Sequence, residues 1–190
     1  MQLKKNSEIV IIGGGIAGSS LAYHLAKLNK KDVVLLERHQ LTSGTTWHAA
    51  GLIMQLRSTH SLTEIAKYNV ELYSTLESET GVSTGFKQNG TLGVARTQDR
   101  MHETKTMATI AKSFNIEAEI ISPSEAKDIY PSLNEDCIEG AIYIPKDGQT
   151  NPVDTTMSLI AGAKKLGVSV HENTEVVDLK KNPDHSFTVF

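Results

Sequence analysis

The sequence predicts an α/β fold that opens on a parallel βαβ unit, and three features near its start carry that expectation. Ile9-Val10-Ile11-Ile12 is a short, fully apolar run, the pattern of a strand buried on both faces. Glycines end it, and Leu21, Leu25 and Leu28 then recur at helical spacing between Ala17 and Leu28. A second apolar run, Val33-Val34-Leu35-Leu36, follows and reads as the partner strand.

Composition narrows what such a fold serves. The 190 residues suffice for one domain with a real core but are short for a complete two-domain enzyme. Apolar residues make up 39% and charged residues 22%, the balance of a globular chain rather than a disordered one. A net charge of −3 offers no footprint for nucleic acid or an anionic membrane. Cys137, the sole cysteine, rules out a disulfide within the chain and a thiolate metal cluster, and it fits a reducing compartment. No window reaches the ~18 apolar residues of a membrane span. Met1–Glu8 leads directly into the first strand and leaves no room for a signal or transit peptide. A cytoplasmic protein is therefore expected, and a processed form in the mitochondrial matrix reads the same way.

Further along, Leu41–Leu56 lacks clear periodicity and reads mainly as a loop. Ser61-Leu62-Thr63-Glu64 has the form of a capping box, followed by a helical stripe of Leu62, Ile65, Ala66, Leu72, Tyr73 and Leu76. Gly90–Ala95 reads as a strand, and Met107, Ile110, Ala111 and Phe114 mark a helix. Ser122-Pro123-Ser124-Glu125 is a second capping box, opening a short helix that Pro131 stops. Gly140–Ile144 reads as a strand, and Asn151-Pro152 opens a helix carrying Val153, Met157, Ile160 and Ala161. Strands are expected at Val168–Val170, Thr174–Leu179 and Ser186–Phe190. The last has no stop signal, so the chain is expected to be an incomplete fragment of a longer protein.

The turn after the first strand is Gly13-Gly14-Gly15-Ile16-Ala17-Gly18, a G-x-G-x-x-G between strand and helix. Gly13 permits the tight turn, Gly15 admits a pyrophosphate to the backbone, and Gly18 lets helix and strand pack closely. The helix N-terminus then offers N–H groups and partial positive charge to phosphates. Glu37 closes the second strand nineteen positions after Gly18, where a carboxylate can accept hydrogen bonds from a ribose diol and disfavours a 2′-phosphate. Together these features predict a Rossmann-like dinucleotide site.

What distinguishes one dinucleotide from another is the next segment. Leu41–Leu52 places hydroxyls at Ser43, Thr45 and Thr46, then Ala49, Ala50 and Gly51. Hydroxyls can reach phosphate or ribitol oxygens, and the small residues let backbone lie against a flat ring. Glu37 to His48 is eleven residues, a reach of up to about 36–40 Å. The remaining histidines, His24, His39, His60, His102, His171 and His185, share no metal-ligand spacing, so no metal site is assigned. A nucleophile-elbow motif is also absent.

Glu37-Arg38 followed by Ser43-Gly44-Thr45-Thr46-Trp47-His48-Ala49-Ala50-Gly51-Leu52 resembles the D-amino-acid-oxidase-type flavoproteins, specifically the sarcosine and dimethylglycine dehydrogenases. The resemblance continues through Glu79-Thr80-Gly81, Gln88-Asn89-Gly90, Tyr130-Pro131-Ser132-Leu133 and Pro145-Lys146-Asp147-Gly148 with Pro152. It implies a Rossmann-like FAD-binding domain, 1–56 and about 152–190, interrupted at about 82–148 by the start of a substrate-binding sheet domain. It implies FAD as cofactor, with Gly13, Gly15, Ile16, Ala17, Gly18, Glu37, Arg38, residues 44–52 and Val176 against it. His48 matches the histidine bonded covalently to the flavin 8α-methyl carbon; the bland alternative is a hydrogen-bonded loop histidine. Trp47 reads equally as core packing, and Val176 as a plain strand residue.

The implied reaction is oxidative demethylation of a small N-methylated glycine, sarcosine or dimethylglycine, the Ser43–His48 run with Leu56-Arg57 leaning toward sarcosine. The implied electron acceptor is an electron-transfer flavoprotein or oxygen, and tetrahydrofolate would enter through a domain outside these residues. Substrate contacts are expected beyond Phe190, so the 190 residues alone are expected to bind FAD weakly or not at all. Two other readings stand beside this one. The regulatory subunit of pyruvate dehydrogenase phosphatase resembles the same family, and Thr97-Gln98-Asp99-Arg100 looks like it, but that branch lacks the tethering histidine. The third is a glycine or amino-acid oxidase with noncovalent FAD.

Overall fold

The computed structural model describes residues 5–190; Met1–Lys4, the start of the segment read as leading into the first strand, lie outside the described residues. The chain begins with β1 (Ile9–Ile12), α1 (Ile16–Lys27), β2 (Val33–Leu36), β3 (Leu52–Ile53) and α2 (His60–Thr80). It continues with β4 (Thr91–Ala95), α3 (Gln98–Ser113), β5 (Glu119–Ile121), α4 (Pro123–Ile129), β6 (Gly140–Ile144) and β7 (Gly148–Gln149). It finishes with α5 (Pro152–Lys165), β8 (Ser169–His171), β9 (Leu179–Lys181) and β10 (Phe187–Val189). Two compact units result: one runs to Gly51 and takes in Thr75–Gly85 and Asn151–Phe190, the other holds Leu52–Ser74 and Phe86–Thr150.

The first unit is built on a parallel sheet of order β1-β2-β8, with Ile9 opposite Val33 and Val34 opposite Ser169. All four residues of β2 are buried, as its central place requires. Helices α1 and α5 pack together, and their contact inverts the leucine stripe expected from the sequence. Ser19, Ala22, Tyr23 and Ala26 are buried on α1, whereas Leu21 is 50% and Leu28 71% exposed. The reason is close approach: a Cβ added to Gly162 of α5 would lie 2.7 Å from Cε2 of Tyr23, so small side chains win the interface. Tyr23 then donates to Glu79 at 2.6 Å, and Lys27 reaches the same carboxylate at 3.1 Å. These bonds hold the Glu79 carboxyl below its ordinary range.

The expected strand at Thr174–Leu179 is not formed; β9 starts at Leu179 and pairs antiparallel with β10. The backbone before it is satisfied elsewhere, Thr174 N–H by the Glu37 carbonyl and Val177 N–H by that of Phe190.

In the second unit β4, β6 and β5 form an antiparallel sheet of order β4-β6-β5. Its core gathers Ala108, Ala111, Ile116, Ala118, Ile142 and Ile144. Helix α3 buries Met101, Thr104, Ala108 and Ala111; of the residues that marked it in sequence, Ala111 is buried and Phe114 packs against the core, while Met107 and Ile110 are exposed. The capping box at Ser122 is formed in full. The one at Ser61 is not: α2 starts at His60, two residues before a Ser61 cap would place it, and Thr59 Oγ1 accepts from Leu62 N–H at 3.4 Å, a threonine serving as cap before the serine is reached. The segment Leu41–Leu56 is mainly loop, as expected, apart from a 3-10 helix at Thr46–His48 and the pairing of β3 with β7.

Candidate cofactor site

At the carboxyl end of β1 the chain turns at Gly13, whose φ of +106° only glycine adopts without strain. The Gly13 N–H is held by the Leu36 carbonyl at 2.8 Å, which ties the turn to the end of β2. A Cβ on Gly18 would overlap the Gly13 carbonyl oxygen, so the third glycine is required by packing. Gly15, the N-cap of α1, supplies no side-chain cap, and the first turn of α1 carries no acidic residue. The positive end of the helix is left for an anion.

Two side chains shape this loop. Glu37 accepts from Gly14 N–H at 2.7 Å through Oε2 and from His39 N–H at 2.9 Å through Oε1. Each oxygen keeps a further lone pair for a ribose hydroxyl. Thr46, buried in the 3-10 helix, accepts from Ile16 N–H at 3.0 Å. Its hydroxyl caps the first helical N–H, and a Cβ on Gly15 would meet it at 2.9 Å. Thr46→Val keeps the shape and removes the acceptor. Its expected cost is about 1 kcal/mol, the usual cost of a lost helix cap, checked by urea denaturation of the full gene product.

Two clefts meet at Glu37 and Arg38. One, of ≈ 290 Å³, is lined by Ile12, Gly13 and Leu36 on one side and Thr174, Glu175 and Val176 on the other. The other, of ≈ 370 Å³, lies among Gly15, Ile16, Ala17, His39 and Ser43–Thr46. Val176 reaches the first cleft because the chain after β8 is stitched to the chain after β2. Leu41 N–H donates to Glu172 Oε1 at 2.8 Å, Asn173 N–H to the His39 carbonyl and Thr174 N–H to the Glu37 carbonyl, both at 2.9 Å. Clefts at the carboxyl ends of parallel strands are where α/β sheets take nucleotides.

Most of the expected site residues therefore come together: Gly13, Gly15, Ile16, Ala17, Glu37, Arg38, Gly44, Thr45, Thr46 and Val176 line the joined clefts. Gly18 acts behind the loop. Trp47 is 57% exposed and does not join the core of these residues, and its ring lies 3.9 Å from that of His48. His48, Ala49 and Ala50 are also exposed, Gly51 is buried, and none of Trp47–Leu52 lines either cleft. The sequence reading missed Thr174 and Glu175 on the cleft wall and Glu172 behind it. Parallel pairing of β8 with β2 was the signal, since it puts Glu172 beside Glu37 at adjacent strand ends. Among the described residues no cluster of three or more metal-binding side chains occurs. No helix among them is long and apolar enough to cross a membrane.

A cradle of glycine backbone, a helix N-terminus with no acidic residue in its first turn and a carboxylate at the next strand end suit the adenosine diphosphate half of FAD. The comparisons with known proteins agree. Mouse mitochondrial sarcosine dehydrogenase is 42% identical over 96% of this chain, and rat mitochondrial dimethylglycine dehydrogenase 43% over 98%. The chain spans only 20% and 22% of the length of those relatives. The crystal structure of L-proline dehydrogenase from P. horikoshii superposes with a TM-score of 0.89 at 32% identity, over 96% of this chain and 48% of that one. Residues 8–189 match the profile of the FAD-dependent oxidoreductases termed DAO. The fold is the α/β flavin-binding fold of that group, and the chain belongs to the DAO family of FAD-dependent oxidoreductases.

Proposed function

We propose that this chain forms the adenosine-binding part of an amine dehydrogenase that oxidatively demethylates a small N-methylated glycine, sarcosine or dimethylglycine. The reading rests on the Thr45-Thr46-Trp47-His48-Ala49-Ala50-Gly51 run, anchored where it matters: Thr46 is fastened to the N-terminus of α1, and His48 projects from the same 3-10 helix. Glu37, Gly13–Gly18 and Val176 would hold the adenosine and pyrophosphate, and residues 44–52 the remainder. When bound, FAD supplies the two-electron acceptor for a hydride equivalent from the N-methyl carbon, leaving an iminium for water or tetrahydrofolate. The protein supplies binding, orientation and, through His48, a covalent tether to the flavin 8α-methyl carbon, for which imidazole is suited because it carries a free ring nitrogen near neutral pH. Electrons would leave to an electron-transfer flavoprotein or to oxygen. The mitochondrial location named for the relatives extends to this protein as part of the same proposal.

The test is acid precipitation of the full gene product. Yellow colour and flavin fluorescence are expected to stay in the pellet, and His48→Ala is expected to release all of it to the supernatant. Colour in the wild-type supernatant would sink the tether and favour an oxidase with noncovalent FAD. Absence of flavin altogether, with no formaldehyde from sarcosine or dimethylglycine, would favour the regulatory reading. The 190 residues alone are expected to bind FAD weakly, which a fluorescence titration checks.

A further inference from the structure

Asp147 is fully buried in the second unit, and only part of its carboxylate is used. Oδ1 accepts two bonds from one residue, Gln55: the backbone N–H at 2.9 Å and the side-chain Nε2–H at 3.1 Å. Oδ2 is enclosed and has no hydrogen-bond partner. A buried carboxylate with an unsatisfied oxygen is costly, so its presence calls for a reason. Gln55 is itself buried, and it stands two residues beyond β3.

The surroundings of Asp147 are fixed by backbone. Its carbonyl accepts from Gly90 N–H at 2.9 Å, and its N–H donates to the Ile144 carbonyl at 3.3 Å. Next to it, Gly148 pairs with Ile53, and Gln149 with both Leu52 and Lys87. A Cβ on Gly148 would overlap the Lys87 carbonyl oxygen, so the Asp147-Gly148 pair sits at a node that admits no slack. Strand β3 is only two residues long and its pairing with β7 is too short to fix its own position. The two bonds from Gln55 extend that pairing.

We propose that Asp147 is the positioning residue for Leu52–Gln55, holding in place the chain that leads directly out of the His48-Ala49-Ala50-Gly51 run. The inference rests on the flavin reading for its purpose, since Leu52 is the last residue that reading lays against FAD. The role belongs to Oδ1, and the unpartnered Oδ2 is the accompanying cost. Asp147→Ala removes the acceptor, whereas Asp147→Asn keeps an oxygen for Gln55 and replaces the other with an amide.

The experiment is amide hydrogen exchange on the full gene product, comparing residues 52–57 with α4 as an internal control. Asp147→Ala is expected to speed exchange at 52–57 about tenfold, the scale of leaving buried donors without their acceptor, and to leave α4 unchanged. Asp147→Asn is expected to stay within about twofold of wild type. In parallel, the acid-stable flavin fraction and the visible flavin spectrum are expected to change in Asp147→Ala and to be kept in Asp147→Asn. Unchanged exchange at 52–57, or a rise equal to that of α4, overturns the proposal. So does an intact flavin signal in Asp147→Ala, or a lost one in Asp147→Asn with exchange preserved. If Asp147→Ala does not fold, Gln55→Leu, which deletes only the side-chain bond, should raise exchange at 52–57 by about threefold, and no rise overturns the clamp. A wild-type protein that carries no flavin defeats the flavin reading alone, while exchange still decides the clamp.

Discussion

Replacing Gly18 with alanine is expected to destabilise the protein by about 3 kcal/mol and to weaken FAD binding by roughly two orders of magnitude. The added methyl would overlap a backbone atom, the Gly13 carbonyl oxygen, rather than the end of a flexible side chain. That carbonyl cannot step aside cheaply. Gly13 is at φ +106° with its N–H bonded to Leu36, so shifting its carbonyl also loosens the turn from the end of β2. Moving α1 outward instead would pull its N-terminus from Thr46, and with it the N–H groups proposed to take the phosphates. Both routes damage the pocket, so stability and affinity are expected to fall together. Gly44→Ala is the comparison, because a Cβ there meets nothing within 4 Å. Urea denaturation of the flavin-free protein and fluorescence titration with FAD measure the two quantities. An alanine at Gly18 that leaves both unchanged would contradict the close packing of α1 on the turn.

The βαβ start was legible because each of its signals is local. An apolar run of four, a glycine turn and a second apolar run dictate β1, the turn and β2 without help from distant residues. Helix faces were less legible. The leucines of α1 suggested one face, yet the partner α5 brings Gly162 so close to Tyr23 that Ala22, Tyr23 and Ala26 take the interior. Which face a helix buries depends on what it meets, and that partner lies more than a hundred residues away in sequence. The candidate site divides in the same way. Gly13, Gly15, Gly18 and Glu37 follow from spacing, whereas Glu172 and Thr174 enter through bonds across 131 and 137 residues, to Leu41 and Glu37. Asp147 gave no sign of its role in sequence, because a buried carboxylate facing Gln55 looks like any Asp-Gly turn until the chain is folded.

Glu37→Gln is the second substitution with a large expected effect, and it separates the loop bonds of that carboxylate from its proposed ribose contact. In the folded chain both oxygens accept backbone N–H groups, Gly14 at 2.7 Å and His39 at 2.9 Å. Glutamine keeps one acceptor and turns the other into an NH2 donor, which faces an N–H whichever way the amide is placed. One bond is lost and a donor is set against a donor, so the flavin-free protein is expected to lose about 2 kcal/mol, the scale of a hydrogen bond to a charged group. That loss belongs to the glycine loop and appears without any ligand. The proposed contact is with the adenosine ribose. If Glu37 accepts from its hydroxyls, affinity for FAD falls by roughly tenfold or more, while affinity for FMN, which has no adenosine, stays nearly level. Titrating the variant with both flavins therefore reads the ribose contact separately from loop damage, which weakens both. Equal losses for FAD and FMN would confine Glu37 to shaping the loop, and a stability unchanged from wild type would contradict the two backbone bonds.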